Sequence, residues 1–140
     1  MGRTRDQAEV HREACAVPYR IRQKRMEFCL VATPRASRWE FPHTEIKKEE
    51  SPLEAACRSV HEEAGFKCRP AKLEPLDDTE ATHNRQLVRL TSFLLEVQDA
   101  DKTDAPRPIR WCLAEEARAR IRRKPMRRLI DLALRHKQAE

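Results

Sequence analysis

The segment from Ser51 to Gly65 constrains the fold of this chain more than any other, because it carries a helix start and a helix stop at a fixed separation. Ser51 is a good N-cap, Pro52 occupies the favoured first helical position, and Glu54 completes a capping box. Gly65 can adopt the left-handed conformation that ends a helix. Apolar residues share one face between these ends, at Leu53, Ala56, Cys57, Val60 and Ala64. The sequence therefore predicts an amphipathic helix over residues 52–64.

Short apolar or alternating runs on either side of this helix predict strands. We expect strands over residues 13–21, 26–33, 39–42, 66–76, 86–97 and 109–113. The first two form a hairpin across the charged turn 22–25, and Pro18 in the first requires an edge or a bulge. Polar loops are expected over residues 34–38, 43–50, 77–85 and 99–108, and helices over residues 114–121 and from Pro125 onward. This order predicts one mixed α/β domain over residues 1–140, with a flexible segment at residues 1–11.

The composition excludes several classes of protein. Hydrophobic residues make up 39% of the chain, which is enough for one buried core. No apolar run approaches the roughly 18 residues needed to span a bilayer, so we expect no membrane association. The polar start is not typical of a secretory signal. The five cysteines are scattered without a C-x-x-C pair, so we expect reduced core residues in a cytoplasmic protein.

The formal net charge of +6 favours anionic partners, such as phosphorylated small molecules. Much of the basic excess lies between Arg118 and Arg128. A solvated basic face is the plain alternative to a binding surface there.

Two carboxylates stand near the end of the predicted helix. Positions 59, 62 and 63 are spaced to share one face, and Glu62 and Glu63 place two carboxylates there, away from the main apolar stripe. A hard divalent cation such as Mg²⁺ relieves the repulsion between such groups. Cleavage of a phosphoanhydride bond needs such a cation to neutralise phosphate charge and to orient the attacking water. Ordinary solvated glutamates are the alternative for the pair taken alone.

The surroundings of the pair resemble the Nudix box, whose pattern is G-x5-E-x7-R-E-U-x-E-E-x-G-U with U a bulky apolar residue. The spacing is kept without insertion, and the matching residues are Glu50, Arg58, Val60, Glu62, Glu63, Gly65 and Phe66. The approach Trp39-Glu40-Phe41-Pro42-His43-Thr44 and the run from Glu50 to Ala56 are further habits of the family. The resemblance covers most of residues 12–135. It implies a mixed β-sheet sandwiched between α-helices.

The resemblance also implies an activity. It points to a metal-dependent pyrophosphohydrolase, in which water attacks a nucleoside- or inositol-linked diphosphate with Mg²⁺ or Mn²⁺ bound. The strand over residues 14–20 and the Arg110-Trp111 strand followed by Glu115-Glu116-Ala117 are similar to enzymes acting on dinucleoside or inositol polyphosphates. The implied partner is therefore a polyphosphate small molecule, and the implied assembly is a monomer or a homodimer.

The resemblance assigns roles to individual residues. Catalytic roles fall on Glu62, Glu63, Arg58 and Glu50, and metal ligation falls on Glu62, Glu63, the His43 carbonyl and Asp104. Within these sets Glu50 and Arg58 are expected to form a salt bridge that links the loop to the helix and holds the metal carboxylates in place.

Two positions depart from the pattern. Thr44 replaces the leading glycine, and a β-branched residue resists the positive φ that glycine permits. Ser59 replaces the first glutamate, and a serine hydroxyl is not basic near neutral pH. Losing a general base costs about 10²–10⁴ in rate. Residues that could replace it are Asp101, Asp104, Glu80, His83 and His61.

Two alternatives to the hydrolase follow from these departures and from the charge. The chain could be a Nudix module that has lost catalysis and acts as a ligand-binding or regulatory domain. It could also bind RNA through the basic patch from Arg118 to Arg128. Nucleic acid is disfavoured as a partner because the chain lacks the interleaved aromatic residues that stack single-stranded bases.

Overall fold

One mixed sheet of eight strands forms the centre of the computed structural model, which describes residues 10–34, 38–101 and 104–139. In chain order the strands are β1 (His11–Arg22), β2 (Arg25–Ala32), β3 (Trp39–Glu40), β4 (His43–Glu45), β5 (Lys67–Pro70), β6 (Asp77–His83), β7 (Gln86–Gln98) and β8 (Ile109–Cys112). Within the same residues, three helices are α1 (Pro52–Ala64), α2 (Ala114–Arg120) and α3 (Lys124–Ala139). The predicted helix over residues 52–64 is confirmed. The first nine residues of the expected flexible segment lie outside the described residues, and His11 already belongs to β1.

The sheet is built around β1 and β7, which run parallel to each other. β2 and β4 pair antiparallel with β1, and β5 and β6 pair antiparallel with β7. β3 and β8 pair antiparallel with β2. The central strands therefore have neighbours on both sides, and helices cover both faces of the sheet.

Alternation along β1 divides the core into two layers. Ala14 and Ala16 face the side covered by α1, where they pack with Val60 and Phe93. Cys15, Val17 and Tyr19 point the other way, and the core there includes residues of α2 and α3 such as Ala117, Met126, Leu129 and Ile130. Every one of these residues is buried. The predicted arrangement, a mixed sheet between α-helices, is confirmed.

The predicted hairpin between β1 and β2 is also confirmed. Gln23 and Lys24 form its turn with φ of 52° and 65°, which matches the right-handed twist of the strands. Of the two alternatives expected for Pro18, an edge strand or a bulge, the edge strand is wrong, since β1 lies inside the sheet. Pro18 instead lies where β1 changes partner, between the last pair with β4 at Cys15 and the first pair with β2 at Tyr19. Proline is tolerated at that break in the ladder.

Two segments expected as polar loops are strands. Residues 77–83 form β6, which pairs along its whole length with β7 and turns back at Asn84 and Arg85, both with positive φ. Its side chains alternate between partly buried and exposed, and Arg89 of β7 donates to Asp78 at 2.9 Å. Residues 43–45 form β4 on β1. Both strands are polar because each leaves much of its surface to solvent.

All five cysteines are free, and Cys15, Cys29 and Cys112 are buried as expected. Cys57 and Cys68 are partly exposed. Within the described ranges, no helix combines the length and the apolar composition needed to cross a membrane.

Candidate active site

The caps of α1 fix where its acidic end lies. The Ser51 hydroxyl accepts from the Glu54 backbone N–H at 3.1 Å, and the Glu54 carboxylate accepts from the Ser51 N–H at 2.8 Å. Gly65 ends the helix with φ of 77° and donates its N–H to the His61 carbonyl. Glu62 and Glu63 therefore lie in the last turn, where the helix dipole disfavours negative charge. Carboxylates at that place need compensation from outside the helix.

Gly65 also allows a close packing contact. A Cβ at this position would lie 3.0 Å from backbone atoms of Asp104 and Ala105. The loop before β8 therefore passes against the end of α1. From the same loop, Arg107 reaches back so that its Nη1 lies 3.5 Å from Glu63 Oε1.

Glu63 is the more buried of the two carboxylates, with 15% of its side chain exposed against 53% for Glu62. Burial and, to a smaller extent, the negative charge of Glu40 raise the pKa of Glu63 to about 7. The charges of His43 and Arg107 and a hydrogen bond from the His43 backbone N–H oppose that shift. Glu63 is thus a carboxylate whose negative charge is only partly compensated by the protein.

Arg58 ties the loop before α1 to the acidic end of the helix. Its Nε and Nη2 donate to the two carboxylate oxygens of Glu50 at 2.8 and 3.0 Å. Its Nη1 donates to Glu62 at 3.1 Å, and its Nη2 also reaches the Glu45 carbonyl. The Arg58 guanidinium lowers the pKa of Glu50 to about 2, helped by the Lys47 N–H. This bidentate contact fixes the direction of Arg58, and through it the position of Glu62.

Ser59 takes no part in this network. It is completely buried, and its hydroxyl donates to the Ala56 carbonyl at 2.7 Å within the same helix. Although the spacing of positions 59, 62 and 63 places them on one side of the helix, the Ser59 hydroxyl bonds within the helix and does not contact the two carboxylates. A short hydroxyl turns back on the helix backbone instead of reaching outward.

Thr44 does not adopt the positive φ that the glycine of the family pattern would permit at this position. It lies in the extended strand β4, and positive φ values fall elsewhere among the described residues. Its hydroxyl oxygen lies 3.5 Å from Arg58 Nη1. The β-branched residue is therefore accommodated without strain.

The backbone of His43 faces Glu63. Hydrogen bonds from Ala16 to Pro42 and from Ile46 to Arg12 set the register of β4 on β1. In that register Cys15 and His43 form a pair without mutual backbone hydrogen bonds. The N–H and the carbonyl of His43 therefore point away from β1, and the N–H meets the Glu63 carboxylate.

The residues expected to replace the missing glutamate lie in the loop before β8, in β6 and on α1. Asp101 and Asp104 are exposed, the Asp104 backbone passes against Gly65 at the end of α1, and Arg107 of the same loop reaches Glu63. Glu80 lies 3.4 Å from Arg89 across the β6–β7 hairpin, and His61 is exposed on α1. Among the described residues, His, Cys, Asp and Glu side chains form no group of three or more that could hold a metal ion.

A cleft of about 510 Å³ opens beside the site. Its walls include Arg38, Trp39, Glu40, His83, Arg122 and Arg123. Trp39 bridges to Ile121, which holds the link between α2 and α3 against β3. Burial and the charge of Arg123 lower the pKa of His83, which favours its neutral form. Glu40 connects the cleft to the carboxylate pair, since it lines the wall and its charge acts on Glu63.

Sequence reasoning assigned no role to Glu40 or Arg107. Glu40 belongs to the Trp-Glu-Phe-Pro run that carried part of the resemblance, so its position in the sequence could have marked it as a site residue. No sequence pattern marked Arg107 as a site residue, because it reaches Glu63 only through the packing of its loop on Gly65.

A model of the NUDIX domain family matches residues 10–133, and the chain therefore belongs to the Nudix family. It has no sequence match among curated proteins.

Solved structures with a similar fold include two of C. elegans Ap4A hydrolase. One is 19% identical with a TM-score of 0.79, covering 91% of this chain and 98% of that chain. The other, a binary complex, is 18% identical with a TM-score of 0.81, covering 93% and 99%. The NUDIX domain of Shewanella oneidensis NrtR, solved with ADP ribose, is 16% identical with a TM-score of 0.69, covering 90% and 87%. At these identities the likeness concerns the fold.

Proposed function

We propose that this protein is a metal-dependent pyrophosphohydrolase that cleaves a phosphoanhydride bond in a nucleoside or dinucleoside polyphosphate. The observation that carries the proposal is the placement of Glu63. Its partly compensated carboxylate lies beside Glu62 at the end of α1 and is coupled through Glu40 to a cleft with arginines on its walls. Carboxylates for a cation and, in the adjoining cleft, arginines for phosphate suit a cation bound together with a polyphosphate.

The residues present fit Mg²⁺ or Mn²⁺. Mg²⁺ keeps several of its waters and is held in enzymes by one or two carboxylates together with substrate phosphates, so it does not need a group of three side chains. Glu63, Glu62 and the outward-facing His43 carbonyl would supply the protein oxygens. When bound, the cation neutralises phosphate charge and lowers the pKa of water.

The chain's own residues bind and orient the substrate in this proposal. Arg38, Arg122 and Arg123 bind phosphate oxygens in the cleft, because guanidinium groups match phosphate geometry. Trp39 offers an aromatic surface for a base, which favours a nucleotide over an inositol polyphosphate. Arg58, held by Glu50, positions Glu62 and does not touch the reacting atoms.

Glu40 is the residue we propose as the general base, in place of the glutamate that Ser59 replaces. It lies on the cleft wall, and its charge acts on Glu63. Asp104 is the competing candidate from the sequence. We expect Glu40→Gln to lower kcat by about 10²–10⁴, whereas Asp104→Asn leaves kcat within a few-fold of the parent. The reverse ranking would assign the base to Asp104.

The test of the function is the release of phosphate or pyrophosphate from dinucleoside polyphosphates, nucleoside triphosphates and inositol pyrophosphates, with Mg²⁺ or Mn²⁺ added. The parent is compared with a Glu62→Gln, Glu63→Gln variant and with Glu115→Gln, an exposed glutamate on α2. We expect turnover of a nucleotide substrate by the parent and the Glu115 variant but not by the double variant. Equal turnover by all three would contradict the proposal.

A catalytically lost binding module is the second candidate, and the burial of Ser59 favours it. The hydroxyl is committed to the Ala56 carbonyl and cannot reach a substrate. This candidate predicts that nucleotides raise Tm while no substrate of the panel is turned over with either metal.

A further inference from the structure

Cys57 and Cys68 form a pair outside the site described above. Cys57 lies in α1 and Cys68 in β5, and the two thiols lie close enough for each to shift the pKa of the other. Both side chains pack against the core layer between α1 and the sheet, and both are partly exposed. The turn at Gly65 brings the two elements together. Two neighbouring thiols that are both reachable from solvent have the arrangement needed for thiol–disulfide exchange.

The other three cysteines provide a contrast within the same chain. Cys15 and Cys29 are completely buried, and burial raises the pKa of both thiols. Cys112 is 1% exposed, and burial raises its pKa to about 11. These thiols are protonated at neutral pH and closed to reagents, so they are unreactive.

The pKa values of the two thiols shift in opposite directions. The hydrogen bond from Cys68 lowers the pKa of Cys57 to about 7, while the same contact and burial raise the pKa of Cys68. Cys57 is therefore the attacking thiolate, and Cys68 is the resolving thiol that reacts second.

We propose that Cys57 and Cys68 are a redox-reactive pair, which a low-molecular-weight disulfide converts into an intramolecular disulfide between α1 and β5. The Cys57 thiolate attacks one sulfur of the reagent, whose S–S bond breaks and whose other half leaves as a thiolate that takes a proton from water. Cys68 then loses its proton to water and attacks the Cys57 sulfur of the mixed disulfide, releasing the second half of the reagent as a thiol. The protein loses two electrons and two protons, and the reagent gains them.

This disulfide would join the middle of the helix that carries Glu62 and Glu63 to the strand that follows it. Cys57 directly precedes Arg58, so the crosslink would lie one residue from the Glu50–Arg58–Glu62 network. Formation of the disulfide requires no hydrolase activity. Its test is therefore independent of the function proposed above.

The experiment treats the full chain with glutathione disulfide at pH 8, blocks remaining thiols with iodoacetamide under denaturing conditions, and measures intact mass and tryptic peptides. We expect the loss of two hydrogen atoms and a crosslinked peptide containing Cys57 and Cys68. Only Cys15, Cys29 and Cys112 should then be alkylated, and dithiothreitol should restore alkylation of the pair.

Three variants sharpen the result. Cys68→Ser should stop at a stable glutathione adduct on Cys57. Cys57→Ser should form no crosslink, and any glutathione adduct on Cys68 should form more slowly than the adduct on Cys57 does in the first variant. Cys112→Ser, the buried control, should form the same crosslink as the parent. A parent that stops at the Cys57 adduct, one that keeps both thiols free, or one that links either thiol to a buried cysteine would overturn the proposal.

Discussion

At the scale of single residues, Glu63 is a carboxylate in a place that disfavours its charge. It is largely buried, it lies at the carboxyl end of a helix, and Glu40 adds a second negative charge nearby. Arg107 and the His43 N–H compensate only in part, since the pKa of Glu63 is still raised to about 7. Because its surroundings destabilise the charged form of Glu63, a bound cation would stabilise that carboxylate.

The raised pKa of Glu63 predicts a pH-dependent stability for the metal-free protein. Between about pH 4.5 and pH 7 the folded chain keeps the Glu63 proton while the unfolded chain releases it, so folding takes up a proton and stability falls as pH rises. We expect Glu63→Gln to come close to the parent at pH 4, below the unfolded pKa, and to exceed its free energy of unfolding at pH 8 by about 3 kcal/mol. Urea unfolding with a chelator present measures this. A parent and variant that differ equally at both pH values would contradict it.

In contrast to Glu63, Ser59 is predicted to contribute little to catalysis or to stability. Because its hydroxyl bonds to the Ala56 carbonyl inside the core, Ser59→Ala should leave kcat and KM within a few-fold of the parent and change stability by about 1 kcal/mol or less. Steady-state kinetics and thermal unfolding measure the two effects. A loss of kcat of a hundredfold or more in a folded variant would show that the hydroxyl acts in catalysis.

At the scale of elements, α1 is the part of the fold that sequence reasoning predicted best. Its start, its end and its acidic last turn all follow from local signals, namely a capping box, a first-turn proline and a left-handed glycine. The strands β4 and β6 were missed for the converse reason. Their polar side chains carry no hydrophobic pattern, and they are held by backbone pairing to β1 and β7 that no local signal reveals.

Gly65 tests why α1 ends where it does. Gly65→Ala places a Cβ both at a φ of 77° and 3.0 Å from the backbone of Asp104 and Ala105. We expect a loss of at least about 1 kcal/mol of stability, measured by thermal or urea unfolding. Gly65→Asn separates the two causes, because asparagine tolerates the left-handed conformation but keeps the Cβ. An asparagine variant as stable as the parent would show that the loop contact is unimportant.

At the scale of the whole molecule, the site joins parts of the chain that are far apart in sequence. The carboxylates come from α1, Glu40 from β3, Arg107 from the loop before β8, and the basic cleft wall from the link between α2 and α3. The box residues could be named from sequence because they occupy one continuous motif. The cleft could not, because the sequence showed the basic residues near Arg122 only as a patch and did not place them in one cleft with Glu40.

The cleft predicts how substrate affinity depends on charge. Arg123→Gln should raise KM for a polyphosphate substrate roughly tenfold while kcat is largely kept, because the arginine binds substrate and transition state alike. Arg135→Gln, an exposed position on α3 with the same change in net charge, is the control and should leave KM unchanged. Equal effects of the two substitutions would mean that only the overall charge of the protein matters.

Whether Glu63 binds the cation that drives hydrolysis is tested by the initial rate of nucleotide hydrolysis as a function of Mg²⁺ concentration, for the parent and for Glu63→Gln. We predict that the parent is inactive without the cation and saturates as it is added, and that the variant is slower by a factor of about 10² or more at every concentration. A Glu63→Gln variant that hydrolyses nucleotide at the parental rate with the same Mg²⁺ dependence would show that Glu63 does not hold the cation.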